Sequence, residues 1–206
     1  MLHISSLPSH GGIGDLGPAA YAFADFLAAA KQRLWQVLPL SPTGYGNSPY
    51  AALSAFAGNP LLVSLEFLAD RGWIDQESLA NLPGRTGAVD FQDVTARKLP
   101  LVQEAARNFL HRHSPEEWSA FEGFCRENGT WLEAWAQFAV LRRKFNYASW
   151  KDWPEDLKHR DPKALDRLRA EHGEEIDTEK AIQFAFDQQW SGLREYCAAR
   201  GIRFIG

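Results

Sequence analysis

The chain has 206 residues, a formal net charge of −4, 45% hydrophobic and 23% charged residues, and 13 Phe, 8 Trp and 5 Tyr. That composition supports one core or two small ones and excludes disorder, while the many rings indicate a packed interior or a ring-lined ligand site. The 26 Asp and Glu outnumber the 22 Lys and Arg, which argues against nucleic acid as a partner.

Residues 2–5 predict a short strand, followed by a Gly/Pro/Ser loop and a helix with Pro18 at its first position. Tyr21, Phe23, Ala24, Phe26, Leu27 and Ala30 give that helix a broad apolar face. Residues 34–38 form a continuous run, as expected of a parallel strand buried on both faces, and complete a βαβ unit. Residues 34–65 carry no charge at all, yet Pro39, Pro42, Pro49 and Pro60 interrupt them, which excludes a membrane-spanning helix. Asn59 and Pro60 then open one helix through Leu61, Leu62, Leu65 and Leu68 toward Gly72.

Beyond Gly72 the pattern becomes helical. Ser114-Pro115-Glu116-Glu117 and Thr130-Trp131-Leu132-Glu133 both fit a capping box, with Asn128-Gly129 as the stop between two helices. Leu99, Val102, Ala106 and Phe109 form one stripe, kinked at Pro100; Leu132, Trp135 and Ala139 form a second, and Ile182, Phe186, Trp190, Leu193 and Cys197 a third. The domain organisation read from this is a βαβα portion over residues 1–74, an all-helical insertion over 75–175, and a returning helix with a further strand over 176–206. That last strand, 202–206, lacks the loop or helix that completes such a unit, so a longer parent chain is expected.

Cys125 and Cys197 sit singly in helical patterns and make neither a disulfide framework nor a metal pair; they read as buried thiols of a reducing compartment. With no basic region and apolar core at the N-terminus, the expected location is cytoplasmic. Gly12-Ile13-Gly14-Asp15-Leu16-Gly17 matches a dinucleotide fingerprint in form. It lies too far from the first strand, sets a carboxylate where a pyrophosphate would sit, and has no acidic residue after the second strand; a flexible loop positioning a helix is the better reading. His111 and His113 point to different faces and make no metal site, and no nucleophile elbow is present. The segments after both complete strands offer only Asp15 as a catalytic acid.

The loop after the second strand carries Thr43, Tyr45, Asn47, Ser48, Tyr50 and Phe56. Sugars need such a mixture, because their apolar faces stack on rings while their hydroxyls require directional partners. Residues 35–60, WQVLPLSPTGYGNSPYAALSAFAGNP, resemble the signature of the 4-α-glucanotransferases of glycoside hydrolase family 77. The likeness extends to His3-Ile4-Ser5-Ser6-Leu7-Pro8 and Gly12 to Gly17, to the segment WLEAWAQF at 131–138, and to Gln188-Gln189-Trp190 and 201–206.

This resemblance implies an α/β fold, the N-terminal part of a (β/α)8 barrel with a large all-helical insertion, predominantly helical as it stands. It implies retaining transfer of α-1,4-glucan segments between maltooligosaccharides, with no cofactor and no metal. The catalytic nucleophile and acid/base are expected beyond Gly206, which leaves this chain inactive alone. By position, Tyr50 corresponds to the ring lining the donor sugar beside the cleaved bond, and Ser48 to a polar group of the same cleft. Tyr45 corresponds to a ring that in some members serves a second, more remote glucan groove. The rival readings are a stand-alone glucan-binding module and a dinucleotide-binding enzyme.

Overall fold

The computed structural model describes residues 1–206 except Asn81, Pro83, Arg85 and Thr86. Helix α1 (Pro18–Ala29) starts with Pro18 after an extended Gly17 and buries Ala20, Ala24 and Leu27. Strand β1 (Leu34–Gln36) follows. Then come α2 (Leu65–Asp70), α3 (Glu77–Ala80), α4 (Phe91–His111), α5 (Pro115–Glu127), α6 (Leu132–Lys144), α7 (Glu155–Lys158), the long α8 (Pro162–Ala199) and strand β2 (Arg203–Ile205). The two strands pair in parallel, with Trp35 opposite Phe204, and the chain among the described residues is mostly helical.

The sheet is covered on one face. Trp35 packs its ring against Phe23 of α1 and Phe204 of β2, both at 4.9 Å, and Trp190 of α8 lies 4.6 Å from Phe204. Trp35 and Val37 are buried, whereas Leu34 and Gln36 on the other side of the pleat are exposed. The expectation of a strand buried on both faces is therefore corrected: residues 34–38 alternate, because helices cover only the Trp35 side.

One continuous core joins Ile4, Leu16, Trp35, Leu62, Phe109, Phe121, Leu132, Phe184 and Ile202. A second, smaller one gathers Ala136, Val140, Leu141, Trp153, Leu168 and Ile176 between α6, α8 and the segment between them. Helix α8 contributes to both and leaves helical dihedrals at His172 (φ −128°, ψ 27°). Helix α4 continues through Pro100.

Other expectations are corrected. Residues 2–5 are not a strand: Leu2 donates one hydrogen bond to the Gln36 carbonyl, and a 3-10 turn follows at Ile4–Ser6, because the His3 ring accepts from the Ser5 backbone N–H. The single helix from Asn59 to Gly72 is two elements. Asn59 caps a 3-10 turn (Pro60–Leu62), extended Val63 interrupts it, and Ser64 caps α2 anew. The capping box at Ser114 and Glu117 forms on both sides. The one expected at Thr130 does not: Trp131 occupies the cap without a capping side-chain bond, its indole N–H donating instead to Asn128 at 3.0 Å, and the Glu133 carboxylate is taken by Lys180 and the Gln137 amide.

The glycine loop at residues 12–17 is fixed rather than flexible. Asp15 accepts from the Gly17 N–H at 3.0 Å and the Ser9 hydroxyl at 2.8 Å, and meets the Lys98 ammonium of α4 at 2.7 Å with both side chains buried. Gly12 has φ +79°, a left-handed conformation that favours glycine. Of the two thiols Cys197 is buried and Cys125 only partly so, since Cys125 lies on the rim of an open groove between α4, α5 and α8. Burial pushes both thiols up, Cys197 to about 11, which leaves them unreactive as nucleophiles near neutral pH.

Candidate functional site

The uncharged loop, residues 39–58, folds as a narrow hairpin. The Gly44 N–H donates to the Ala51 carbonyl at 2.7 Å and the Leu53 N–H to Pro42 at 2.9 Å. At the tip, Tyr45–Asn47 form a 3-10 turn in which Gly46 (φ +67°) and Asn47 (φ +52°) are both left-handed, a conformation that glycine and asparagine tolerate. Ser48 then turns the chain: its carbonyl accepts from Ala51 at 3.0 Å and its hydroxyl from the Tyr50 N–H at 3.3 Å. This bracing displays three rings in one short segment, Tyr45 at 98% exposure, Tyr50 at 76% and Phe56 at 70%. Burying a large ring stabilises by about 1.5–3 kcal/mol, so the loop forgoes that gain at each.

The hairpin is clamped to α8 by two glutamines six residues apart. The Gln183 side chain accepts from the Gly58 N–H at 2.8 Å and donates to the Gly58 carbonyl at 3.1 Å. Gln189 makes the same pair of bonds to Ser64, at 2.7 and 3.1 Å. Both amides are buried, so each satisfies a backbone N–H and C=O that would otherwise lie unpaired. A further tie is the near-parallel, offset stack of Phe56 on Trp131, 6.0 Å between centroids.

Two hollows flank the loop. One of about 230 Å³ lies between Thr43, Asn47 and Leu53 of the hairpin and Thr95, Trp135, Phe138, Arg142 and Tyr147. Arg142 sits 5.1 Å over the Tyr147 ring, Arg143 pairs with buried Glu179, and the Trp135 indole N–H is buried without an acceptor. The second, about 300 Å³, lies where the chain leaves β1, lined by Ser41, Phe56, Asn128, Trp131, Asp187 and Trp190.

The structure thus sets Ser48 and Tyr50 in one turn and places Tyr45 at the tip between Gly44 and Asn47, which border the first hollow; none of Ser48, Tyr50 and Tyr45 lines either hollow itself. The Ser48 hydroxyl is already engaged by its own loop. Asp15 and the glycine motif take no part; they anchor α4. The sequence reading missed Arg142, Tyr147 and Asp187 as site residues and assigned Trp135 to packing. The signal available was the spacing of Trp131, Trp135 and Phe138, an aromatic stripe on one helix face that lines both hollows. Among the described residues no cluster of His, Cys, Asp and Glu could hold a metal ion, and no helix is long and apolar enough to cross a membrane.

Burial pushes the Asp187 carboxyl above its ordinary pKa; Arg194 opposes this and Glu127 adds to it. Because the folded state binds that proton more tightly than the unfolded one, stability falls as pH rises through this window. Asp187→Asn should therefore raise the urea midpoint near neutral pH, with the gain vanishing below about pH 4, where the unfolded carboxyl also takes up its proton. An equal gain at both pH values would remove the carboxylate as its cause.

The family model described as 4-alpha-glucanotransferase matches residues 2–206. The chain is 43% identical over 207 residues to a 4-alpha-glucanotransferase of Thermus thermophilus, covering all of this chain and 41% of that protein. It superposes on an amylomaltase from Streptococcus agalactiae in complex with acarbose with a TM-score of 0.92 at 33% identity, covering 100% of this chain and 41% of the other. An amylomaltase from Corynebacterium glutamicum shares the fold, with a TM-score of 0.72 at 18% identity over 97% of this chain and 28% of its own. The chain thus spans about two-fifths of the length of the first two relatives, and with a match from its second residue to its last it belongs to the 4-alpha-glucanotransferases of glycoside hydrolase family 77.

Proposed function

We propose that this chain is the substrate-cleft wall of a cytoplasmic 4-α-glucanotransferase that passes α-1,4-glucan segments between maltooligosaccharides by retaining double displacement. The observation that carries this reading is the uncharged hairpin with Tyr45, Tyr50 and Phe56 held out in solvent, in a chain whose structural relative holds acarbose. Tyr50 stacks on the donor sugar beside the cleaved bond, Ser48 fixes the turn that presents it, and Tyr45 serves the more remote groove.

Retaining transfer needs two carboxylates about 5–5.5 Å apart. The acids in the two hollows do not supply them: Glu179 is tied to Arg143 in one, and Asp187 stands in the other. The nucleophile and acid/base are therefore assigned to the part of the relatives that this chain does not span. A (β/α)8 barrel accounts for the bare side of the sheet, where Leu34 and Ile205 are 51% and 41% exposed; in a closed barrel that side packs inward against the other strands. Free thiols at Cys125 and Cys197 suit a reducing cytoplasm.

The test is titration of the chain with maltotriose and acarbose, followed by tryptophan fluorescence, beside an assay for glucose release. Saturable binding without glucose release is expected. Tyr50→Ala should weaken maltotriose binding by about ten- to a hundredfold, the loss of one stacking contact of roughly 1–3 kcal/mol, and Tyr45→Ala by less. Absence of binding by the unaltered chain, or equal small effects of both substitutions, would overturn the assignment.

A further inference from the structure

The segment between α6 and α8 encloses a hollow of about 380 Å³ that neither glucan site reaches. Phe138, Leu141, Trp153, Leu157 and Leu165 form its walls, and Trp150, Lys158 and Arg160 are further lining residues, with Gln137 contributing an amide. Phe138 is the partition: it also lines the hollow under the Tyr45 hairpin.

One buried donor is left unpaired there, beside an acceptor open to solvent. Trp153 is only 7% exposed, and its indole N–H is buried with no acceptor. Gln137 is 8% exposed; its amide N–H donates to Glu133 at 3.1 Å, while its oxygen is left accessible to solvent. A buried donor is almost always paired, so the lone Trp153 N–H, with the accessible Gln137 oxygen in the same lining, describes a ligand that both accepts and donates. A hydroxyl does both; a carboxylate accepts only, and an apolar body does neither. The flat surfaces are there as well. Trp150 keeps 51% of its surface in solvent, and Trp153 lies 5.6 Å from the Phe138 ring.

We infer that this hollow is a remote, non-catalytic binding site for a neutral hydroxyl-rich ligand, a short α-1,4-glucan segment. Trp150 stacks on the apolar face of a glucosyl unit, and the Trp153 N–H and Gln137 oxygen take its hydroxyls. The inference rests on the glucan reading of the hairpin site and extends it. A second hold on the same polymer raises the effective concentration of chain ends at the cleft without any new contact there.

The experiment compares maltoheptaose and maltotriose titrations of the unaltered chain with those of Trp150→Ala, Gln137→Leu and Tyr50→Ala, reading fluorescence and amide chemical shifts. Trp150 is half exposed, so its replacement should leave the far-ultraviolet circular dichroism unchanged, and Gln137→Leu keeps the side-chain volume. Expected are maltoheptaose-dependent shifts at the Trp153 indole N–H that persist in Tyr50→Ala and disappear in Trp150→Ala, with maltoheptaose affinity falling about tenfold in both Trp150→Ala and Gln137→Leu. Glucan binding that Trp150→Ala and Gln137→Leu leave untouched, with a silent Trp153 indole, overturns this inference and leaves the hairpin reading standing. No glucan binding by the unaltered chain overturns the hairpin reading itself. Trp153 shifts produced by benzoate but not by maltoheptaose would assign the hollow to an apolar anion and overturn the inference as well.

Discussion

Lys98→Met should be among the most destabilising single substitutions in this chain. The Lys98 side chain is fully buried and its ammonium lies 2.7 Å from Asp15, itself 4% exposed. Asp15 in turn holds the Ser9 hydroxyl and the Gly17 N–H, so the pair joins the glycine loop before α1 to the first half of α4. Removing one member leaves the other charge buried and uncompensated, at a cost of about 3–5 kcal/mol. For a domain of this size that is a fall in Tm on the order of 6–20 °C. The double variant Asp15→Asn with Lys98→Met removes both charges, keeps the side-chain shape and a hydrogen-bonding oxygen, and should recover most of the loss. Thermal unfolding of the two variants checks this. A Lys98→Met chain with unchanged Tm, or a double variant worse than the single, would show that the pair is not what holds the loop.

That pair also shows where the sequence stops being informative. Asp15 and Lys98 are 83 residues apart, and nothing in the local pattern of either announces a partner; GIGDLG reads as a loop motif and Lys98 as one polar position on an amphipathic helix. The clamping roles of Gln183 and Gln189 were equally hidden, although their six-residue spacing repeats that of Gly58 and Ser64, the residues they hold. Features set by local chemistry were legible: Pro18 opening α1, the reciprocal cap of Ser114 and Glu117, and a strand expected over 202–206 and found at 203–205. Thr130 fits the same capping pattern and fails because Lys180, 47 positions away in α8, competes for Glu133. The uncharged segment between Pro39 and Gly58 was legible as a loop from its prolines and glycines alone. The hollows beside it were not, because each is closed by α6 or α8, whose aromatic stripes serve packing and lining together.

Gly58→Ala should damage the hairpin more than any loss of a ring from it. Gly58 has room for nothing larger: a Cβ there would lie 2.1–2.4 Å from three atoms of the Phe186 ring. Phe186 is buried in the main core and the clash reaches the root of its ring, so the backbone of Gly58 is expected to move and surrender both bonds to Gln183. Overpacking of this kind costs about 1–3 kcal/mol, and unpaired buried amide groups about 1–3 kcal/mol each; a loss of roughly 3–5 kcal/mol is expected. The displacement also carries to Phe56, two residues earlier, whose stack on Trp131 closes the hollow containing Asp187. Maltotriose binding should therefore fall by at least as much as in Tyr50→Ala, even though Gly58 has no side chain to offer a sugar. Adding Phe186→Leu to Gly58→Ala opens space for the Cβ, so the double variant should bind maltotriose better than Gly58→Ala alone, an interaction of the sign expected for neighbours in conflict. A Gly58→Ala chain with unaltered Tm and titration curve would mean that the loop rests on its own hairpin bonds and not on its contact with α8.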